Sequence, residues 1–169
     1  DAKHFNAAYN AVDKHLATWR KNKIALYWED EKDSKEYTFA QLSELSNKFA
    51  NVLKKLGVKK GDRVFIFLPR VPELYINFLG ILKTGAIAGT LFSAFGAQAL
   101  KDRLGDSEAK IVVTNNELKD RVYKVKKYLP KLKHIILVDA HKVKKNREVA
   151  FWPEMQEAKT KFKISDCDM

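Results

Sequence analysis

Two short stretches of the sequence combine residue types that could bind a phosphorylated ligand. Lys119 and Arg121 fall in the first turns of a predicted helix that directly follows a predicted strand. The loop Phe92-Ser93-Ala94-Phe95-Gly96 also directly follows a predicted strand. Ligands of parallel α/β sheets bind beyond the carboxyl ends of the strands. Cations there could bind phosphate, while small residues would let a planar ring approach the main chain and aromatic residues could stack on it.

Both stretches also have an interpretation in which no ligand binds. The basic helix carries further lysines at positions 124, 126 and 127, and its cations can be a solvated face whose long stems cover apolar surface. The loop can be a tight strand-to-helix turn with two core phenylalanines. A solvated face is the more common arrangement for such a helix, whereas spacing alone does not favour either interpretation of the loop.

The elements that must position these residues alternate between strand and helix. Short apolar runs predict strands at 24–28, 63–68, 86–92, 110–114 and 135–138. Periodic stripes, capping signals and helix-ending Gly or Pro predict helices at 5–19, 38–56, 72–82, 97–106 and 116–129, with a last short helix around 151–155. Alternation with short connections predicts an α/β fold with a mostly parallel sheet flanked by helices.

The apolar spacing also predicts which helix faces are buried. The first helix should bury Phe5, Tyr9, Val12, Leu16 and Trp19, and the third should bury Leu74, Tyr75, Phe78, Leu79 and Leu82. The fifth should bury Leu118, Val122, Val125 and Leu129. Thr38 and Gln41 have the spacing of a capping box. Residues 141–149 are polar and basic, which predicts an exposed loop.

Composition and charge limit the class of protein. The chain has 169 residues, of which 46% are hydrophobic and 31% charged, as in globular proteins and unlike disordered, collagen-like or membrane-embedded ones. We expect one α/β unit over 1–169: a helix, strand and loop at 1–35, a βαβ core at 36–139, and a basic loop with a short helix at 140–169. The net charge is +11. Residues 110–150 hold 12 Lys and Arg against 4 Asp and Glu, a surface that should attract phosphates or polyanions.

Neither a catalytic nor a metal-binding residue can be assigned from the motifs. The sequence has no G-x-G-x-x-G, no G-x-x-x-x-G-K-[ST] and no G-x-S-x-G, and its four histidines are scattered. The lone cysteine, Cys167, cannot form an internal disulfide, which favours a reducing, cytoplasmic compartment. No apolar run is long enough to span a membrane. The chain begins without Met and stops without a closing element, so we expect a piece of a larger polypeptide.

A resemblance to a known family extends over most of the chain. The run 53–64, LKKLGVKKGDRV, followed by Leu68-Pro69 and Pro72-Glu73, resembles the opening of adenylate-forming enzymes. The runs 85–95, GAIAGTLFSAF, 99–104, ALKDRL, and 109–114, AKIVVT, resemble AMP-forming acetyl-CoA synthetases. The early runs 5–10, FNAAYN, and 25–29, ALYWE, fit the same family.

The resemblance implies that the parent enzyme joins a carboxylic acid, acetyl or short-chain, to ATP and then passes the acyl group from AMP to coenzyme A. It also implies that ATP and Mg²⁺ are bound only in the full-length parent. The family's Ser/Thr/Gly-rich phosphate loop follows shortly after a point that resembles residues 165–169. On this basis the isolated chain is expected to be inactive, and its main partner is the rest of its own polypeptide.

The resemblance further implies a partial site for coenzyme A. Phe92, Ser93 and Ala94 match the family's loop near the CoA adenine, and Arg121 or Lys119 matches the basic residues that meet its 3′-phosphate. Many relatives have two glycines where Ser93 and Ala94 stand, and the basic residues align only to within one or two positions.

Two other functions remain open at this stage. The first is an adenylating enzyme that hands its acyl group to a carrier protein instead of free CoA. The second, which the resemblance does not favour, is a basic module that binds nucleic acid through residues 110–150, with the strong salt dependence that phosphate contacts produce.

Overall fold

Strands and helices alternate along the chain between residues 34 and 137. The structure, a computed structural model, describes residues 5–143 and 147–166. The strands are β1 (Ile24–Glu29), β2 (Ser34–Thr38), β3 (Arg63–Phe67), β4 (Ile87–Leu91), β5 (Ile111–Thr114), β6 (His134–Leu137) and β7 (Glu148–Ala150). The helices are α1 (Ala7–Ala11), α2 (Phe39–Lys55), α3 (Pro72–Lys83), α4 (Ala97–Asp106), α5 (Lys119–Val125) and α6 (Phe151–Glu157). Short 3₁₀ helices cover Asp13–Ala17, Trp19–Asn22 and Lys126–Tyr128.

Five parallel strands form the central sheet in the order β4-β3-β5-β6-β7, and β1 and β2 form a separate antiparallel hairpin. The predicted mostly parallel sheet with flanking helices is therefore confirmed. The chain goes from β3 to β4 on one side and returns to β5 on the other, so the strand order reverses between β3 and β5. Such a reversal opens a crevice at the carboxyl ends of the strands.

Helices cover both faces of the sheet. One face packs on α2, α3 and α6 through a core that includes Phe49, Ile81 and Phe151. The other packs on α4 and α5 through residues such as Leu104 and Val122. All four residues of β5 are buried, as expected for a parallel strand that is covered on both sides.

Several of the predicted helix boundaries and buried stripes are confirmed. Thr38 and Gln41 form a reciprocal capping box at the start of α2: the Gln41 main-chain N–H donates to Thr38 Oγ1 (3.2 Å), and the Thr38 N–H donates to Gln41 Oε1 (2.9 Å). Gly57 follows α2 with φ = +78°, a conformation that glycine adopts without strain. The whole predicted stripe of the fifth helix is buried: Leu118, Val122, Val125 and Leu129.

The predicted first helix is wrong. Residues 5–19 instead form α1 and a 3₁₀ helix, and a second 3₁₀ helix begins at Trp19. The side chains of Phe5, Tyr9 and Trp19 are exposed. The helix breaks at Val12, whose ψ is −61° at a φ of −128°. The next residue, Asp13, binds Ser43 and Lys83, and these contacts to α2 and α3 outweigh the local helical pattern.

The predicted buried face of α3 is also wrong in part. Tyr75 and Phe78 are exposed, whereas Ile76, Ile81 and Gly80 are buried. Gly80 lies against α2: a Cβ added there would sit 2.8 Å from Phe49 Cδ1 and 2.9 Å from Ser46 O. The close approach of the two helices requires the face that contains Gly80 to turn inward, and the spacing of the large apolar residues does not indicate that requirement.

The predicted exposed loop at 141–149 is wrong at its end. Glu148 and Val149 are buried in β7, which pairs in parallel with β6. Residues 144–146 of this stretch lie outside the described residues, as does Cys167. Among the helices that the structure describes, none is both long and apolar enough to cross a bilayer.

The contact at Gly80 predicts that Gly80→Ala lowers the free energy of unfolding by about 1–3 kcal/mol, because the new methyl group forces α2 and α3 apart. Gly105→Ala in α4 is the matched control, since a Cβ there meets only Leu129 Cδ2 at 3.8 Å. The control should be neutral or gain up to about 1 kcal/mol of helix propensity. Urea denaturation of both variants measures the difference, and equal stabilities would contradict the packing argument.

Candidate functional site

The loop after β4 presents an aromatic ring at the carboxyl edge of the sheet. The side chain of Phe92 is 66% exposed, Ala94 is exposed and Ser93 is half-buried. The Phe92 and Phe95 rings meet edge to face with their centroids 6.0 Å apart. Phe95 packs against the core under α4 and α5. The interpretation of this loop as a turn with two core phenylalanines therefore does not hold for Phe92, whose ring is free to stack on a ligand.

Arg121 holds this loop in place. From the first turn of α5 its Nη1 donates to the main-chain oxygens of Ser93 (2.7 Å) and Phe95 (3.3 Å). Within the loop, the Phe95 N–H donates to the Phe92 carbonyl at 2.9 Å. Hydrogen bonds from a charged donor are stronger than neutral ones. The structure thus brings Arg121 and the Phe92–Ala94 loop together, with the guanidinium bound to main chain.

A positively charged cavity of 490 Å³ lies beside the loop, between the ends of β3 and β4. Among the described residues that line it, the charged ones are Arg70 and Arg103, and the lining also includes Phe92 and Ser93. The Arg103 guanidinium lies 4.4 Å from the centroid of the Phe95 ring. A concave surface with an exposed ring, small residues and two arginines suits an anionic ligand that carries a planar group.

Lys119 lies in a different groove, so the two predicted cations do not share one. This groove has a volume of 330 Å³ and is lined also by Asp139, His141 and Lys142. Lys119 Nζ donates to Asn116 Oδ1 at 2.6 Å. Asn116 is held in turn by the Asp139 carboxylate, which accepts from its main-chain N–H (3.0 Å) and its Nδ2 (2.9 Å). A neutral oxygen therefore orients Lys119. Within the described residues, Lys119 forms no direct ion pair with Asp139.

The short helix α5 carries both cations and is fixed at its other side. The Tyr123 hydroxyl donates to Glu148 Oε1 at 2.6 Å, which ties α5 to β7. Burial, together with the hydrogen bond to the Glu148 carboxylate, raises the pKa of Tyr123 well above its usual value. A tyrosine hydroxyl is protonated at neutral pH even at its usual pKa, and the raised pKa keeps Tyr123 able to donate in alkaline solution as well.

Sequence reasoning missed Arg70 and Arg103 as members of the candidate site. Arg70 follows the end of β3 after two residues, which is a position where ligands of parallel sheets bind, and this signal could have found it. Arg103 lies in the interior of α4, and its place at the cavity depends on how α4 packs beside the loop. No local pattern reports that packing.

The fold defines a class of protein: doubly wound α/β proteins, a class whose ligands generally bind at the carboxyl edge of the parallel sheet. Within this class the chain belongs to the AMP-binding enzyme family, whose profile matches residues 12–168. The resemblance identified from the sequence motifs is thereby confirmed.

Known proteins similar to the chain agree with this assignment. It is 55% identical to the acetyl-coenzyme A synthetase of Bacillus subtilis over 134 residues, which cover 79% of this chain and 23% of that protein. It is 52% identical to the 3-hydroxypropionyl-coenzyme A synthetase of Sulfurisphaera tokodaii over 110 residues, 64% of this chain and 17% of that protein. The chain thus spans less than a quarter of the length of these relatives.

Solved structures show the same fold. A Brucella canis acyl-CoA synthetase superposes with a TM-score of 0.85 at 28% identity, over 96% of this chain and 29% of that one. An anthranilate CoA ligase in complex with anthranoyl-AMP also superposes with a TM-score of 0.85, at 26% identity, over 98% of this chain and 30% of that one.

The contact between Arg121 and the loop predicts that Arg121→Ala speeds amide hydrogen exchange in residues 92–96 by about tenfold, because the loop loses both hydrogen bonds that Arg121 Nη1 donates to it. Lys124→Ala, which removes an exposed cation from the same helix, is the control and should leave exchange unchanged. Mass spectrometry of the peptide that contains the loop measures both. Equal protection of the loop amides in Arg121→Ala and in the unsubstituted chain would show that Arg121 does not hold the loop.

Proposed function

We propose that the chain is the N-terminal part of an AMP-forming acid–CoA ligase that acts on acetate or another short-chain acid. Such an enzyme joins the acid to the AMP moiety of ATP, releases pyrophosphate and transfers the acyl group to the thiol of CoA. The observation that carries this proposal is the 55% identity to an acetyl-coenzyme A synthetase over most of the chain, together with the family match. The neighbour that holds anthranoyl-AMP supports an acyl-adenylate intermediate.

In this proposal the chain's own residues bind and orient CoA and do not carry out the chemistry. ATP with Mg²⁺ supplies the activation of the carboxylate, and the residues that bind it belong to other parts of the polypeptide. The isolated chain is accordingly inactive. Its contribution is a rigid α/β scaffold whose carboxyl edge presents the loop after β4 and the start of α5.

The loop after β4 fits the adenine end of CoA. The exposed Phe92 ring offers a stacking surface, and the short side chains of Ser93 and Ala94 allow a flat group to approach the main chain. Arg70 and Arg103 give the adjoining cavity the positive charge that a phosphorylated ligand needs.

The contacts of the two predicted cations favour different roles for them. The Arg121 guanidinium is engaged by the carbonyls of Ser93 and Phe95, so we assign it to positioning the loop. Lys119 Nζ is held by the neutral amide oxygen of Asn116 and keeps donors available for an anion. Lys119 is therefore the proposed contact of the CoA 3′-phosphate.

This assignment predicts different responses to CoA and 3′-dephospho-CoA in the full-length polypeptide. Lys119→Ala should raise the KM for CoA by about tenfold, the loss of one charge-assisted hydrogen bond, and leave the KM for 3′-dephospho-CoA unchanged. Arg121→Ala should raise both, because it disorders the loop that both ligands use. Lys124→Ala is the control that should change neither. Steady-state rates of acyl-CoA formation measure all four proteins.

The same measurement can overturn each part of the proposal separately. If Lys119→Ala weakens both ligands equally, Lys119 does not contact the 3′-phosphate. If the full-length polypeptide adenylates acetate but transfers the acyl group only to a carrier protein, the proposed CoA site fails while membership of the family stands.

A further inference from the structure

The segment after α6 has no helix or strand of its own, yet asparagine side chains bind it at both ends. We call residues 159–165 the C-terminal strap. Asn51 Nδ2 donates to the main-chain oxygens of Lys159 (2.8 Å) and Lys161 (3.0 Å), and Asn47 Nδ2 donates to that of Thr160 (3.0 Å). Asn47 and Asn51 are one helical turn apart on α2 and therefore lie on the same face of that helix.

The far end of the C-terminal strap is bound by the start of the chain. Asn6 Nδ2 donates to the main-chain oxygens of Ser165 (2.8 Å) and Leu82 (2.8 Å). Asn6 Oδ1 accepts from the main-chain N–H groups of Ala8 and Tyr9 and so caps α1. The Ser165 N–H donates to the carbonyl of Lys83 at 2.9 Å. One buried side chain, Asn6, thus joins α1, the end of α3 and the strap.

A buried ion pair fixes the orientation of Asn47. Lys83 Nζ, on a fully buried side chain, donates to Asp13 Oδ1 (2.9 Å), Asn47 Oδ1 (2.8 Å) and the Ser43 carbonyl (3.3 Å). Burial lowers the pKa of Lys83, and the hydrogen bond to Asp13 opposes that shift. Because Lys83 is a donor only, Asn47 must turn its oxygen toward Lys83 and its Nδ2 toward the strap.

A buried ion pair is expensive unless it is fully hydrogen-bonded, and by itself it is weak evidence for stability. Here the two charged residues and their hydrogen-bond partners come from three separate parts of the chain: the segment after α1, the helix α2 and the end of α3. Lys83 then connects them to the strap twice, through the Asn47 side chain and through its own carbonyl. The arrangement determines where the main chain lies at Ser165.

We propose that Asn6, Asn47 and Asn51 are positioning residues that fix the C-terminal strap, so that the N-terminal segment and α2 set the direction in which the chain continues beyond Ser165. This inference rests on the proposed function for its consequence: in an acid–CoA ligase, the strap would orient downstream residues that act in acyl-adenylate formation. Loosening the strap should slow acyl-adenylate formation without weakening the binding of CoA.

The first test follows the strap itself by limited trypsin digestion, since Lys159, Lys161 and Lys163 are exposed. Trypsin cleaves only main chain that can leave its bound conformation. Asn51→Ala should speed cleavage after these three lysines by about tenfold through local opening, while cleavage after Lys32 in the β1–β2 turn stays constant and shows that the fold is intact. Gln98→Ala is the matched control, because within the part of the chain that the structure describes the Gln98 amide donates to Asp102 on its own helix and not to the strap.

A second variant separates the donors from the volume of the side chain. Asn51→Asp keeps the size of the side chain but has no N–H to donate, so it should speed cleavage of the strap as much as Asn51→Ala does. If Asn51→Asp leaves the strap protected, or if Asn51→Ala and Gln98→Ala digest alike, the asparagine bonds do not hold the strap and the proposal is overturned.

The kinetic test uses the full-length polypeptide. Asn51→Ala should lower the kcat of acetate-dependent ATP–pyrophosphate exchange by about tenfold, a size comparable to losing a group that orients the reacting parts, with the KM for CoA unchanged. If Asn51 had only a structural role, the Asn51→Ala protein would contain less active enzyme. Active-site titration must therefore show that all of the Asn51→Ala protein is active.

The two tests fail in distinguishable ways. Faster digestion with an unchanged exchange rate shows that the strap is held but does not serve adenylation, which overturns the proposed role. If the unsubstituted full-length polypeptide shows no ATP–pyrophosphate exchange, the proposed function itself is refuted, while the digestion result on the strap stands.

Discussion

Parallel pairing of five strands in one sheet, with helices on both faces of that sheet, is the constraint from which the candidate site follows. It places the carboxyl ends of β3, β4, β5 and β6 at one edge, and the reversal of strand order between β3 and β5 opens that edge. The loop after β4 and the start of α5 then meet across the sheet. Ala94 and Arg121 are 27 positions apart in sequence, yet the loop that contains Ala94 contacts Arg121 because the crossovers leave both at the same edge.

Two sets of side-chain hydrogen bonds hold segments without secondary structure in place. At the carboxyl edge, Arg121 uses its charge to bind the carbonyls of an aperiodic loop. On α2, the neutral side-chain amides of Asn47 and Asn51 bind the carbonyls of the C-terminal strap, and Lys83 orients Asn47 for this. In both places, side-chain donors form hydrogen bonds with main-chain oxygens that lie outside helices and sheets. Segments without secondary structure thereby acquire a definite path.

The sequence predicted the elements well where a local signal and the packing agree. The stripe from Leu118 to Leu129 and the capping box at Thr38 are such cases, because periodicity and capping are properties of the segment alone. It failed where distant contacts decide: Asp13 binds Lys83 and breaks the first helix, and Gly80 turns α3 inward against Phe49. For the candidate site, residue types located the loop and the cations, but no pattern in the sequence indicates that Arg121 binds main-chain oxygens.

The central claim, that the loop after β4 takes the adenine of coenzyme A, is tested most directly by photo-crosslinking the full-length polypeptide with an 8-azido derivative of CoA. The account predicts labelling within residues 92–95, identified by mass spectrometry and suppressed by excess CoA. Labelling confined to other residues, or labelling of the loop that excess CoA does not reduce, would contradict it.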